Sequence, residues 1–346
     1  MACGAIEKQL VRICIYTNSL CFFRKYCKKI QKYSKNLWTY AYKKWQYLHQ
    51  EKQTDKGYNM KKLAIILLTA LICLPLFAAA SSEQATTNKD YSAMSLSELK
   101  AAIKTVTTGT LTVATSPDFA PYEFYAIADD GTPSLAGFDM ALAAYIADYL
   151  GLKLDVIPMD FDGTLMEVQN KNVDLGVAGY SPDPSRADVM EFSSVYYAGG
   201  QSFVTTKANA DKFKSLEDTN NKAYSIAAQI GSIQMGLAEA NSPDADIIAL
   251  SKVTDIIAEL ISGKITGAYI ETVVAESYQK NYPELAIVLD VPYDVEGSVI
   301  GVSKGNLALL EGVNRAIAAA LSDGSMAQFV ATANEQATGN IIEGLL

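Results

Sequence analysis

From Ser81 to its end the 346-residue chain contains no cysteine, no tryptophan and no histidine. Each absence removes a class of chemistry. Without cysteine there is no disulfide, even in a compartment that would permit one. Without histidine or cysteine, metal sites built on those ligands are excluded, as are Ser–His and Cys–His nucleophile pairs. Positive charge is scarce too: 15 Lys and Arg stand against 35 Asp and Glu, a formal net charge of −20 over 266 residues. A surface this acidic repels nucleic acid and anionic membrane, so no nucleic-acid partner is expected. Only two arginines, Arg186 and Arg315, occur in this stretch, beside 13 lysines.

The residues missing there are gathered at the front. Residues 1–59 hold Trp38, Trp45, His49 and four of the five cysteines, with 12 Lys and Arg against 3 Asp and Glu. Parts so unlike were not selected for one job. Between them stands the pattern of a secretory signal: basic Met60-Lys61-Lys62, the apolar run Leu63–Leu74, a break at Pro75, and Ala78-Ala79-Ala80. A membrane anchor is the competing reading, and Pro75 with the small-residue end weighs against it. Lys56-Gly57 requires purine-rich codons just ahead of Met60, as an accidentally translated ribosome-binding site would. Residues 1–59 therefore read as a misassigned extension outside the fold, 60–80 as a signal peptide cleaved near Ala80, and 81–108 as a polar N-terminal segment. The alternative is a nucleic-acid or membrane patch built on Arg24, Lys25, Lys28, Lys29, Lys32 and Lys35. Ahead of a secretion signal such a patch has no route to a partner. The mature protein is expected in the periplasm.

The exported part alternates strand and helix. Strands are expected at 110–115, 153–158 and 173–178, with helices at 137–150, ended by Gly151, and 162–170. Parallel strands need crossovers, and these helices supply them, so the first half reads as a doubly wound α/β sheet. Extended runs follow at 193–197 and 201–206. The cycle then restarts: strands at 223–227, 246–250, 267–270, 285–289 and 298–302, and helices at 232–240, 253–262, 272–281 and 307–321. Two successive cycles suggest two lobes joined by a two-strand hinge near 201–206 and 290–298. The expected division is 109–203 with 294–346 as lobe 1, and 204–293 as lobe 2.

In open parallel sheets ligands bind beyond the carboxyl ends of the strands. The residues that follow the predicted strands are aromatics, hydroxyls, one Arg and one carboxylate, an inventory that suits a small zwitterion. Arg186 offers a planar fork that grips a carboxylate by two hydrogen bonds, or is a solvated loop charge. Gly231-Ser232 opens a helix, where Ser232 can meet an anion or simply cap the helix. Phe119 and Phe161 suit either a sandwich around an apolar ligand stem or the core, and Tyr180 is ambiguous in the same way. Ser181 either faces the ligand or forms the turn before Pro182. Glu271 can pair with an ammonium or be an ordinary acid in a first helical turn.

At these residues the sequence resembles the family 3 extracellular solute-binding proteins, the polar-amino-acid receptors of ABC importers. The likeness runs from about Thr110 to Val330. It is carried by Leu111-Thr112-Val113-Ala114-Thr115 with Phe119-Ala120-Pro121-Tyr122-Glu123-Phe124, and by Gly137-Phe138-Asp139-Met140 with Leu142, where Ala141 replaces the usual second acid. The most specific part is Ala178-Gly179-Tyr180-Ser181, then Pro184 and Arg186, ahead of Glu191-Phe192-Ser193 and Tyr196-Tyr197.

The resemblance implies a type II periplasmic-binding-protein fold that closes on a free amino acid and presents it to the membrane permease of an ABC importer, as a monomer and without a cofactor. It implies ligand contacts from Phe119, Phe161, Ala178, Gly179, Tyr180, Ser181, Arg186, Ser232 and Glu271. Arg186 would hold the carboxylate, the two phenylalanines would stack on the side chain, and Glu271 would take the ammonium where the family usually has Asp. Ser116 stands where some basic-amino-acid receptors have an acid, which disfavours a lysine or arginine ligand. Two rivals share the scaffold. A secreted cyclohexadienyl- or arogenate-dehydratase-like enzyme or a murein lyase would need a general acid, for which Asp118, Glu123 or Glu271 could serve. A sensor lobe would need a separate kinase to dock on.

Overall fold

The computed structural model describes residues 90–127, 131–293 and 297–338; the expected extension at 1–59, the expected signal peptide at 60–80 and residues 81–89 lie outside the described residues. Helix α1 (Leu96–Ala102) opens this part on a capping box between Ser95 and Glu98. Strand β1 (Thr110–Thr115) is buried at every position after its first, as a strand covered on both faces requires. Three short strands follow, β2 (Asp118–Phe119), β3 (Glu123–Ile127) and β4 (Pro133–Ala136), paired as a small antiparallel sheet. Helix α2 (Phe138–Leu150) then leads to β5 (Lys153–Pro158), α3 (Phe161–Gln169), β6 (Leu175–Tyr180) and β7 (Met190–Phe192).

The second cycle comprises β8 (Gln201–Thr206), β9 (Ser225–Gln229), α4 (Ile233–Asn241), β10 (Asp246–Leu250), α5 (Val253–Ile261), β11 (Gly267–Glu271), α6 (Thr272–Asn281) and β12 (Leu285–Asp290). The chain returns through β13 (Val299–Ser303), α7 (Leu307–Ser322) and α8 (Ser325–Gln336).

Helix α2 shows how glycine fixes this architecture. Gly137, at its start, has a φ of 114°, and a Cβ there would lie 2.1 Å from the Tyr122 carbonyl oxygen. Only glycine lets the loop after β1 and the helix approach so closely. At the other end Gly151 adopts the left-handed conformation that stops the helix.

Two five-stranded sheets result, ordered β5-β1-β6-β13-β7 and β10-β9-β11-β8-β12. They share one plan. In each, the first of three parallel strands is flanked by the other two, and an antiparallel strand arriving from the other half sits beside the third. The molecule is thus a two-lobed α/β protein, each lobe wound about its own mixed sheet.

The chain crosses between lobes twice. It leaves the first sheet after Phe192 and enters the second at Gln201; it leaves again after Asp290 and rejoins at Val299. The crossings run antiparallel and are tied by Tyr196 N–H to Ser298 O (2.9 Å), Ser298 N–H to Tyr197 O (2.7 Å) and Val291 N–H to Gln201 O (2.8 Å). The first hinge segment therefore precedes β8. Gln201–Thr206, placed by the sequence pattern at the hinge and divided between lobes at 203/204, belongs whole to the second sheet. A single apolar cluster runs from Leu111, Val113 and Phe138 through Tyr122 to Val253, Ile256 and Tyr278, joining both lobes. Burying each such large side chain contributes about 1.5–3 kcal/mol.

Candidate ligand-binding cleft

The carboxyl ends of β1, β5 and β6 meet those of β9, β10 and β11, and three sets of bonds cross the seam. Arg186, in a single 3-10 turn after β6, donates from Nη2 to the Gly231 carbonyl of the other lobe at 2.7 Å. Its Nε lies 3.4 Å from Asp183, and the side chain is only 13% exposed. Asp118, after β1, accepts from Gln229 Nε2 at 3.0 Å and from the Val253 N–H. Its own carbonyl accepts from the Tyr278 hydroxyl at 3.0 Å. Nearer the hinge, the Tyr122 hydroxyl lies 2.9 Å from Ser298 Oγ and 3.4 Å from Glu271 Oε1.

The side chains expected at the ligand fall into three groups. Arg186, Phe119 and Glu271 stand at the seam. Phe119 is mostly buried; its ring touches Gly179, whose φ of +56° and missing Cβ make the room. Glu271 is buried and caps α6, accepting from the Val274 N–H at 2.9 Å. Close packing extends to the helix starts, since a Cβ on Gly231 would come within 3.2 Å of Asp162 in the opposite lobe.

A second group serves the scaffold. The Tyr180 ring turns into the core of lobe 1, over Gly176 and Gly301, neither of which has room for a Cβ beneath it. Its hydroxyl donates to Thr164 Oγ1 at 2.6 Å, and its ring meets Phe161 edge-on at 5.6 Å. Phe161 accordingly packs with Ala178, Tyr180 and Val299. The Gly179 N–H donates to Asp139 Oδ2 at 2.9 Å, tying the end of β6 to the start of α2. Ser232 caps α4, accepting from the Met235 N–H while donating to the Gln229 carbonyl. Third, Ser181 lies half-buried, its carbonyl accepting from the Asp183 N–H. Asp118, Gln229, Tyr122, Ser298 and Tyr278 are not among the ligand contacts expected from the sequence. The sequence showed Asp118 and Gln229 at strand ends, but nothing in their spacing says that they meet.

Burial governs the electrostatics. It lifts the Glu271 carboxyl to about 7, against the pull of N–H groups from Val274, Gly200 and Val273. Burial also lifts Asp118 to about 6, opposed by the Val253 N–H and the Ser116 hydroxyl. Asp139 rises to about 6 for the same reason, despite the Gly179 N–H. Glu123 is raised well above the carboxylate range by burial first, then by the charges of Asp139 and Asp118. A cation brought to Glu271 would therefore meet a carboxyl half-ready to ionise. A carboxylate brought to the seam would meet a guanidinium that is already withdrawn from water.

Comparison with known proteins places this geometry. The chain is 28% identical over 262 residues to the arginine-binding extracellular protein ArtP of Bacillus subtilis, covering 75% of this chain and 92% of that one. It is 26% identical over 222 residues to the cyclohexadienyl dehydratase of Pseudomonas aeruginosa, covering 64% and 76%. Among solved structures it resembles AbpA, an amino acid ABC transporter substrate-binding protein from Streptococcus pneumoniae bound to L-arginine. The TM-score is 0.64 at 30% identity, over 67% of this chain and 97% of that one. The family model of the bacterial extracellular solute-binding proteins, family 3, matches residues 111–333. With the match covering most of both lobes, the chain belongs to the bacterial extracellular solute-binding proteins of family 3.

Proposed function

We propose that this protein captures a free amino acid outside the cytoplasmic membrane and delivers it to the permease of an ABC importer. Arg186 carries the reading. A guanidinium at the lobe seam, largely withdrawn from water and already bonded to the opposite lobe, is suited to grip an α-carboxylate as the lobes close. Glu271, a desolvated carboxyl beside the hinge, takes the ammonium. Phe119 covers the ligand's apolar stem, and Ser181 and backbone N–H groups near the seam assist. The signal at 60–80 exports the protein, and it works as a monomer. Arginine is the first ligand to try, because ArtP and AbpA are described with arginine. Ser116 carries no charge, which weighs against a basic ligand, and its hydroxyl is already engaged by Asp118 at 2.8 Å.

A dehydratase remains the second reading, supported by the Pseudomonas relative and by the raised Glu271 and Asp118 carboxyls, as a general acid needs. A thermal-shift screen of residues 81–346 against the common amino acids and prephenate separates the two. A ligand at a hundred times its Kd stabilises by roughly 2.7 kcal/mol, a midpoint shift of several degrees. A flat response to every amino acid, with prephenate consumed, would replace the receptor by the enzyme.

A further inference from the structure

We propose that Asp118 is the clasp that holds the two lobes shut, by serving as an end-group for a helix of the opposite lobe. This rests on the reading of the molecule as a two-lobed receptor that closes on its ligand. Three helices of lobe 2 begin at the seam. Two carry their own caps: Ser232 accepts from within α4, and Glu271 from within α6. Helix α5 does not. Its N-cap position is Lys252, whose side chain makes no capping bond, so the first orphan N–H of the helix, that of Val253, needs an acceptor from elsewhere.

Asp118 supplies it across the cleft, through the same Oδ2 that accepts from Gln229. Its other oxygen is held by the Ser116 hydroxyl at 2.8 Å, which orients the carboxyl within lobe 1. The Tyr278 hydroxyl of α6 grips the Asp118 carbonyl. One residue, 3% exposed, thus joins β2 of lobe 1 to β9, α5 and α6 of lobe 2. Opening the cleft breaks all three links and leaves α5 without its end-group.

The consequence is a closed population that exists before any ligand arrives. Apparent affinity scales with the fraction of molecules in the competent state. Asp118 therefore tunes affinity for every ligand by one common factor, whereas the groups that touch the ligand discriminate between ligands.

Small-angle scattering and calorimetry on residues 81–346 test this, with Arg315→Met as the control. In Asp118→Ala the ligand-free scattering radius should grow. Affinity should fall about 2-fold to 30-fold, the range of a lost helix cap, by the same factor for each ligand bound. Asp118→Asn keeps an acceptor for the Val253 N–H and should recover much of both. A folded Asp118→Ala with unchanged radius and unchanged affinity overturns the proposal. So does a loss of affinity that differs from ligand to ligand. If Asp118→Ala does not fold, Gln229→Ala removes one link from the other side and must show the same two changes, smaller. If no amino acid binds, scattering still decides the clasp: expansion of Asp118→Ala upholds it while the amino-acid reading alone falls.

Discussion

At the scale of residues, two arginines stand in different surroundings. Replacing Arg186 by Met leaves a bound carboxylate buried without its partner. Such truncations cost about 2–5 kcal/mol, equivalent to about 30-fold to several-thousand-fold in affinity. Arg315 lies on α7 and donates to the carbonyls of Tyr91, Ser92 and Met94 and to Glu311. It anchors the segment ahead of α1. Arg315→Met should lower stability modestly and leave affinity alone; equal affinities for the two variants in calorimetry would make Arg186 a bystander. The buried carboxyls give a pH dependence. Asp118 and Asp139, at about 6, and Glu271, at about 7, all lie above their ordinary values of 3.8, 3.8 and 4.5 in the folded protein. Between pH 4 and 7 the folded state thus binds more protons than the unfolded one, so stability is greatest at the acidic end and falls as pH rises. Ligand-free melts should show that fall, and a bound ammonium beside Glu271 should blunt it. A melting temperature that climbs steadily from pH 4.5 to 7 would contradict the assignment.

At the scale of elements, glycine placement is the sharpest constraint. Gly137→Ala forces a Cβ against the Tyr122 carbonyl in a backbone conformation that disfavours it. The change should cost about 3 kcal/mol or more, lowering the melting midpoint by roughly 6–12 °C. A midpoint within about 2 °C of the parent would show that the loop after β1 has room to move. The same elements show what a sequence can disclose. Strands β1, β5 and β10 and helix α6 begin and end at the residues expected. The β2–β4 sheet was missed, since a two-residue strand has no period and Pro121 interrupts the run before β3. Helix α8 was missed as well. Tyr180 was legible as part of a Gly-Tyr-Ser turn, but its direction was not. Gly176 on its own strand and Gly301, far along the chain on β13, together open the space its ring fills. Arg186 stood out because arginine is rare here. The meeting of Asp118 with Gln229 and Val253 depends on two lobes closing, which no local pattern encodes.

At the scale of the whole molecule, the composition before and after residue 80 makes a separate prediction. If export removes residues up to Ala80, the mature protein starts at Ser81 and contains no tryptophan. Its intrinsic emission should then be that of tyrosine; indole emission from protein isolated from its host would place the start elsewhere. The two matched sheets, the paired crossings at Tyr196–Tyr197 and Ser298 and the polar bonds across the seam describe a body that hinges and closes. In that body Arg186 and Glu271 both stand at the seam. The most direct test is calorimetric titration of residues 81–346, unfolded, dialysed and refolded to strip any carried ligand, against each common amino acid. Saturable binding of at least one amino acid is expected, at one site per chain, lost in Arg186→Met and kept in Arg315→Met. No binding heat for any amino acid at several temperatures, from protein shown to be folded, would contradict it.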